Sequence, residues 1–425
     1  MHYSILFINL HIIETSSLCM EDSEIILASL SGEDKPGVTA ALTAVLAKHN
    51  ANILDLGQAN IHHSLSLAIM FEATNAGEVI KDLLFKATEV GVIIRFSPIS
   101  KEEYMRWVCL QGTKNRYIVT MLGRTLKPSQ ISAVAEISQK YKLNIEKIIR
   151  LTGRVPLEAE ERPSRSCIEL SIRGTVDDVQ QLKHDFMKMA DEQCIDIAFQ
   201  VESMYRRMRR LVCFDMDSTL IQTEVIDELA ERAGVGEEVK AITESAMRGE
   251  IDFSESFKKR VSLLKGLDES VMKEIAENLP ITEGMTRLIR ILKKSGCKLA
   301  ILSGGFTYFG NYLKDKYGFD YVYANELEIV DGKLTGNYIG DIVDGKRKAE
   351  LLRLLAQVEK VDMRQTVAVG DGANDLPMLG IAGLGIAFHA KPKVKANAKQ
   401  SLSTVGLDGI LYFLGYRDSM LVGEE

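Results

Sequence analysis

The sequence is poor in the features that would assign it to several large classes of protein. Its six cysteines lie far apart with no CxxC spacing, which argues against a zinc site or disulfide framework and fits a reducing compartment. No run of 18 or more apolar residues occurs, so a membrane-spanning helix is not expected. The first twenty residues contain no Lys or Arg, and Asn9 and His11 interrupt their apolar run. The basic segment of a signal peptide is therefore missing, a cytoplasmic location is expected, and Met20 stands beside Met1 as an alternative start. Positive charge is not in excess: Lys and Arg number 52 against 59 Asp and Glu, a net charge of −7. That balance argues against a nucleic-acid partner. No GxxxxGK[ST] is present to support a Walker-type nucleotide site. What remains is an ordinary globular composition and 425 residues, enough for two to four domains.

Residues 24–100 and 115–203 repeat one pattern. In the first copy a strand from Ile25 to Leu30 ends at Gly32, and Val38, Leu42, Val45 and Leu46 then recur at helical spacing. Strands around 52–61 and 65–71, a helix over 77–90 and a strand over 92–98 complete a βαββαβ unit. The second copy runs from Tyr117 through a helix carrying Ile131, Val134 and Ile137 to strands at 144–151 and 167–172. A helix over 176–189 and a strand over 195–201 finish it, with a polar loop, 155–164, between its middle strands. Residues 1–23 read as an N-terminal extension and 101–114 as a connector. Residues 204–210 carry four arginines and read as a solvated basic linker.

Each copy resembles an ACT domain, the ferredoxin-like module that often binds amino acids at its first strand-to-helix turn. In copy one the turn is Gly32-Glu33-Asp34-Lys35-Pro36-Gly37, so Gly32, Asp34 and Gly37 are candidate effector residues. The second turn, Gly123 to Ser129, is one residue longer and lacks the Asp and the second Gly. Both turns also read as plain helix caps. The resemblance implies a homodimer and L-serine as the effector.

From Leu211 the pattern changes. Three short apolar runs each end in a polar cluster: Leu211–Phe214 before Asp215-Met216-Asp217-Ser218-Thr219, Leu299–Leu302 before Ser303-Gly304-Gly305, and Thr366–Val369 before Gly370-Asp371-Gly372-Ala373-Asn374-Asp375. Helical patterns separate them, so the strands should be parallel, with the clusters meeting beyond their carboxyl ends. Four carboxylates (Asp215, Asp217, Asp371 and Asp375) would repel one another there. A hard divalent cation relieves the conflict, and a set of oxygen ligands points to Mg²⁺. A magnesium site beside glycine-rich turns and a lysine suits phosphoryl transfer.

These clusters, with Lys348, resemble in order and spacing the motifs of haloacid-dehalogenase-superfamily phosphatases. The stretch from Leu211 to about Asn397 is similar, more narrowly, to the phosphoserine phosphatase branch. The resemblance implies a Rossmann-like parallel sheet with a helical cap over about 225–280, preceded by two ferredoxin-like ACT domains. It implies hydrolysis of O-phospho-L-serine to L-serine, the last step of L-serine biosynthesis. Asp215 would be the nucleophile and Asp217 the general acid and base. Ser303, the Gly304 amide and Lys348 would bind phosphate. Mg²⁺ would be held by Asp215, Asp371 and the backbone carbonyl of Asp217, with Asp375 supporting the shell. Glu224 would meet the substrate ammonium and Arg260 its carboxylate. Met247 and Phe253 would supply apolar cap contacts, and Asn374 could reach the substrate. Two other readings stay open: a phosphatase for another small phosphomonoester, and an amino-acid sensor whose phosphatase half is only a scaffold.

Overall fold

The computed structural model describes residues 23–113, 115–154, 165–248, 250–421 and 423, and divides the chain after residue 114 into two compact units. Nearly all of the N-terminal extension and the loop 155–164 lie outside the described residues.

In the first unit, β1 (Glu24–Glu33), α1 (Val38–Lys48), β2 (Asn52–Ile61), β3 (Ser64–Ala73), α2 (Ala76–Val90) and β4 (Val92–Ile99) form an antiparallel sheet of order β2-β3-β1-β4. Leu65, Leu67, Ile69 and Phe71 alternate along β3, and Val38, Leu42, Val45 and Leu46 recur along α1. The two periods, 2 and 3.6, bring these side chains into one buried cluster. The connector is a helix, α3 (Lys101–Thr113), opened by reciprocal bonds between Ser100 and Glu103.

The second unit starts with a βαββαβ module of the same strand order, β6-β7-β5-β8. Its elements are β5 (Asn115–Gly123), α4 (Pro128–Lys140), β6 (Asn144–Arg150), β7 (Ser166–Gly174), α5 (Val179–Glu192) and β8 (Asp196–Val201). An α/β body follows. From β9 (Leu211–Phe214) the chain passes through a helical insertion, the cap, made of α6 (Val225–Ala233), α7 (Gly236–Met247), α8 (Phe253–Leu263) and α9 (Ser270–Glu277). It continues through α10 (Met285–Lys294), β10 (Lys298–Phe306), α11 (Thr307–Tyr317), β11 (Tyr321–Val330), β12 (Lys333–Ile339) and α12 (Gly345–Val358). The last elements are β13 (Thr366–Gly370), α13 (Leu376–Ile381), β14 (Leu384–Phe388), α14 (Pro392–Asn397), β15 (Gln400–Leu402) and α15 (Ile410–Phe413). The sheet order is β12-β11-β10-β9-β13-β14-β15, parallel from β11 to β15. The sequence reading did not anticipate the β11–β12 hairpin, which adds an antiparallel edge strand.

The second module is fused to the α/β body. Leu122, Leu151, Cys167 and Ala198 pack in the same apolar cluster as Val212, Phe214 and Leu407. Gln400 reads β8 as a strand would, accepting from the Phe199 amide at 2.9 Å and donating to its carbonyl at 2.6 Å. Asp196 accepts from the amides of Ser403 and Thr404 at 2.6 and 2.8 Å and from the Thr404 hydroxyl. This seam corrects the solvated-linker expectation. Arg206 is 3% exposed and pairs with the equally buried Glu169. Arg209 donates to the carbonyls of Arg364 and Thr366, and burial lowers its guanidinium to about 10. Two of the four arginines thus serve backbone carbonyls and a buried carboxylate that need donors, while Arg207 and Arg210 remain exposed.

Replacing Asp196 with Ala would leave two half-buried amides without their acceptor, where a fully buried group costs roughly 1–3 kcal/mol. Asp196→Ala is therefore expected to destabilise residues 115–425 by about 1–3 kcal/mol, read from the urea midpoint of the full chain.

Candidate active site

The register of the central strands builds the site. Phe214 pairs with Ile301 of β10 on one side and with Val369 of β13 on the other. The residues that follow each strand therefore emerge at one level, and the Asp215 amide continues the ladder to the Val369 carbonyl at 2.9 Å. Lys348 arrives from the first turn of α12. Asp344 caps that helix by accepting from the Arg347 amide at 2.8 Å. The Lys348 ammonium is fully buried, 2.8 Å from Asp215 Oδ1 and 2.7 Å from Asp375 Oδ1. Burial opposes its charge, but the two carboxylates outweigh burial and raise it above an ordinary lysine.

Asp215, Asp371 and Asp375 each offer a carboxylate oxygen, all within 4.8 Å of one another. Burial first, and then Asp215 and Asp375, push Asp371 up to about 8. Burial and Asp215 bring Asp375 to about 7 against the pull of Lys348. The two are not equivalent. Asp375 is engaged through both oxygens, by Lys348 and by the Gly372 amide, whereas Asp371 takes a single long bond from Thr219 at 3.4 Å. Asp215 Oδ1 accepts from Lys348 and from the Met216 amide. A crowded set of oxygen donors, with Asp371 loosely held, fits a hard divalent cation.

Asp217 points elsewhere, because the chain leaves β9 at Phe214 and is already turning at position 217. Its Oδ1 accepts from the Val225 amide at 3.2 Å, and its Oδ2 lies against Gly305, where any Cβ would collide with it. Burial, then Glu224 and Asp215, raise its carboxyl well above the usual range. Ser218 adopts φ 55°, a left-handed turn that sends the chain into the cap, and its hydroxyl donates to Glu224 at 2.8 Å. Burial raises Glu224, while Ser218 and Arg260 oppose the shift. Burial lowers Arg260, which answers electrostatically to Glu224, Asp227 and Asp217. Ser218 thereby ties Glu224 to the turn that carries Asp217. Phe253 closes over the motif of β10, so that a Cβ on Gly304 would come within 3.0 Å of its ring. Asn374 is half-buried in the turn before α13. Met247 ends α7, and its side chain lies outside the described residues.

The β10 motif is released from its sheet. Pairing with β11 shifts register between Leu302 and Phe306, which frees Ser303, Gly304 and Gly305. The fully buried Ser303 hydroxyl accepts from the Gly305 amide at 2.9 Å. Asn325 on β11 was not singled out in the sequence, yet it fixes this loop. Its side-chain amide donates to the Gly304 carbonyl at 2.7 Å and to that of Gly305 at 3.3 Å, and its oxygen accepts from the Val343 amide at 2.8 Å. A lone Asn in an unrecognised hairpin gave no signal.

In the first unit, Asp34 and Gly37 line a pocket of about 360 Å³ with Lys35, Thr39, Gln58 and Leu65. Gly32 does not. It is a strand residue paired with Val92 and Leu65, and a Cβ there would approach Val92 to 2.8 Å.

A buried lysine held between strand-end aspartates, under a helical cap, defines a phosphoryl-transfer hydrolase of the haloacid dehalogenase-like class. Residues 209–383 match the haloacid dehalogenase-like hydrolase family, and residues 24–97 match the ACT domain. Over 394 residues the chain is 39% identical to a phosphoserine phosphatase of Mycobacterium tuberculosis, covering 92% of this chain and 93% of that protein. A phosphoserine phosphatase of Streptomyces coelicolor is 37% identical over 396 residues, 93% of each chain. A solved structure of a probable phosphoserine phosphatase from Vibrio cholerae, without ligand, gives a TM-score of 0.54 at 36% identity, covering 73% of this chain and 88% of that one. This chain belongs to the phosphoserine phosphatase family.

Asn325→Ala should lower turnover at least tenfold, since small displacements of positioned groups cost that much. The accompanying fall in the thermal midpoint should be only a few degrees. Steady-state kinetics beside a thermal melt check the pair of outcomes.

Proposed function

We propose that the protein hydrolyses O-phospho-L-serine to L-serine and inorganic phosphate, completing L-serine biosynthesis. The observation that carries this reading is the fully buried Lys348 bridging Asp215 and Asp375, in a chain of this family. Asp215 attacks phosphorus. The new Asp215–O–P bond forms as the P–O bond to serine breaks, and Asp217 gives its proton to the departing serine oxygen. The raised carboxyl of Asp217 supports this role, because the group must begin protonated. In the second half Asp217, now ionised, takes a proton from water, whose oxygen attacks phosphorus and releases Asp215. Ser303, the Gly304 amide and Lys348 hold the phosphoryl oxygens throughout. A Mg²⁺ bound by Asp215, Asp371 and the Asp217 carbonyl, with Asp375 behind them, would neutralise charge on the phosphoryl group.

Glu224 takes the substrate ammonium and Arg260 its carboxylate, with Phe253 excluding water above them and Asn374 beside the phosphate. The Ser218 hydroxyl, which holds Glu224 beside the turn of Asp217, supports the placing of Glu224. Phosphate release from phosphoserine should be rapid with Mg²⁺, lost with excess EDTA, and reduced by more than a thousandfold in Asp215→Asn. Arg260→Lys should raise KM for phosphoserine about tenfold and spare an aryl phosphate. Slow release from phosphoserine beside rapid, metal-dependent turnover of the aryl phosphate would overturn the substrate and keep the mechanism.

The second module reads as a second ACT domain, supported by its identical strand order. A homodimer is supported by the apolar residues Ile53, Leu56 and Ile61 exposed along the edge strand β2. The unpaired cysteines among the described residues support a cytoplasmic setting. L-Serine binds the pocket around Asp34 and Gly37 as effector. Calorimetry on the full chain, with product inhibition at the active site measured separately, should detect a second serine site that Asp34→Ala abolishes.

A further inference from the structure

The chain enters and leaves the cap through two adjacent segments, residues 220–222 and 280–282. The Gln222 amide donates to the Pro280 carbonyl at 2.8 Å, the Thr282 amide donates to the Leu220 carbonyl at 3.1 Å, and Ile221 and Ile281 form an antiparallel bridge between them. This two-stranded hinge begins one residue after the turn that carries Asp215 and Asp217. The residue that follows it is Glu283, whose partners lie outside the cap. Its carboxylate accepts a fork of two bonds from Arg124, Nη1 to Oε1 at 3.0 Å and Nη2 to Oε2 at 2.8 Å. Arg124 stands in the first strand-to-helix turn of the second βαββαβ module, the counterpart of the turn that lines a pocket in the first unit. On the other side, the Glu283 carbonyl accepts from the Leu407 amide at 2.7 Å, in the loop after β15 to which Asp196 is bound.

We propose that Arg124 and Glu283 form a latch through which the second module holds the exit strand of the cap hinge, so that Arg124 is a positioning residue for substrate recognition by the cap. The inference rests on the phosphatase reading for its kinetic consequence but not for its structural one. A planar, bidentate pair fixes direction as well as distance, which a single flexible contact would not. Both side chains remain about half exposed, at 48% and 54%. An exposed ion pair contributes little to global stability, so the effect of this one is on geometry. The latch aligns Glu224 and Arg260, which sit on the cap, with Asp215, which sits on the body. A substrate that uses only the phosphate subsite does not need that alignment.

The test uses full-length protein, wild type beside Arg124→Gln, Glu283→Gln and the charge-exchanged Arg124→Glu/Glu283→Arg. Hydrogen exchange is followed in peptides spanning 219–223 and 280–284, and kcat/KM is measured for phosphoserine and for an aryl phosphate. The expected result is exchange at the hinge amides accelerated at least threefold in both single variants. kcat/KM for phosphoserine should fall threefold to tenfold, that for the aryl phosphate should stay within twofold, and the thermal midpoint within about 2 °C. The charge-exchanged variant should recover most of each loss. Unchanged hinge exchange overturns the latch, as does an equal loss on both substrates accompanied by a lower melting point. Wild-type protein inactive on phosphoserine would instead overturn the functional reading, while hinge exchange would still decide the latch.

Discussion

The site depends on one electrostatic constraint: several carboxylates must share the end of a sheet with almost no water. Asp215 is 5% exposed, Asp217 8%, and Asp375 fully buried. Carboxylates so placed neutralise themselves by taking up protons unless a cation intervenes. Lys348 is the cation the chain itself provides. Its position explains features that otherwise look unrelated. Asp344 caps α12 at the residue that brings position 348 into the first turn. Asp375 spends both oxygens on Lys348 and Gly372, which leaves Asp371 as the carboxylate still short of partners. A single lysine does not balance this many acids. The remaining oxygen donors fit a divalent ion, which would take the place of the protons that burial otherwise draws to them.

Much of this was legible in the sequence, for a physical reason. A strand buried on both faces is an apolar run, and a parallel strand presents its functional residues where the run stops. Leu211–Phe214 and Thr366–Val369 obey that rule, so Asp215 and Asp371 could be placed from sequence alone. The repeated βαββαβ pattern was legible too, because alternation along β3 and helical spacing along α1 are local signals. What escaped depends on long-range partners. Asn325 looks like any polar residue until the frayed β10–β11 register leaves two carbonyls for it to hold. Arg206 belongs to a charge run that normally means solvent, and only the distant Glu169 changes its meaning. Gln400 mimics a strand across about two hundred residues, which no periodicity announces.

The seam between the second module and the body shows why such residues are polar at all. Its apolar contacts merge two cores, but β8 and β15 bring strand edges together without continuing one sheet. Backbone groups left at those edges have to be answered by side chains. Gln400 answers Phe199, Asp196 answers Ser403 and Thr404, and Gln200 answers the Phe413 carbonyl at 2.8 Å. Directional bonds of this kind fix a single docking geometry more narrowly than apolar burial can.

That fixed geometry has a consequence for the cap. The cap is inserted directly after β9, the central strand, so its exit must return across the face of the body to start α10. The return path runs beside the loop that follows β15, where Gly406 and Leu407 lie against the Glu283 backbone. The module docked at β15 grips this same loop through Asp196. Its first strand-to-helix turn thereby comes within reach of the cap's exit, and Arg124 spans the remaining distance. Contact between module and hinge thus follows from two facts of topology, a cap inserted at the central strand and a module docked at the sheet edge. Only the chemistry of the contact was left for sequence to choose, and an arginine facing a glutamate is the pair that fixes orientation without depending on burial.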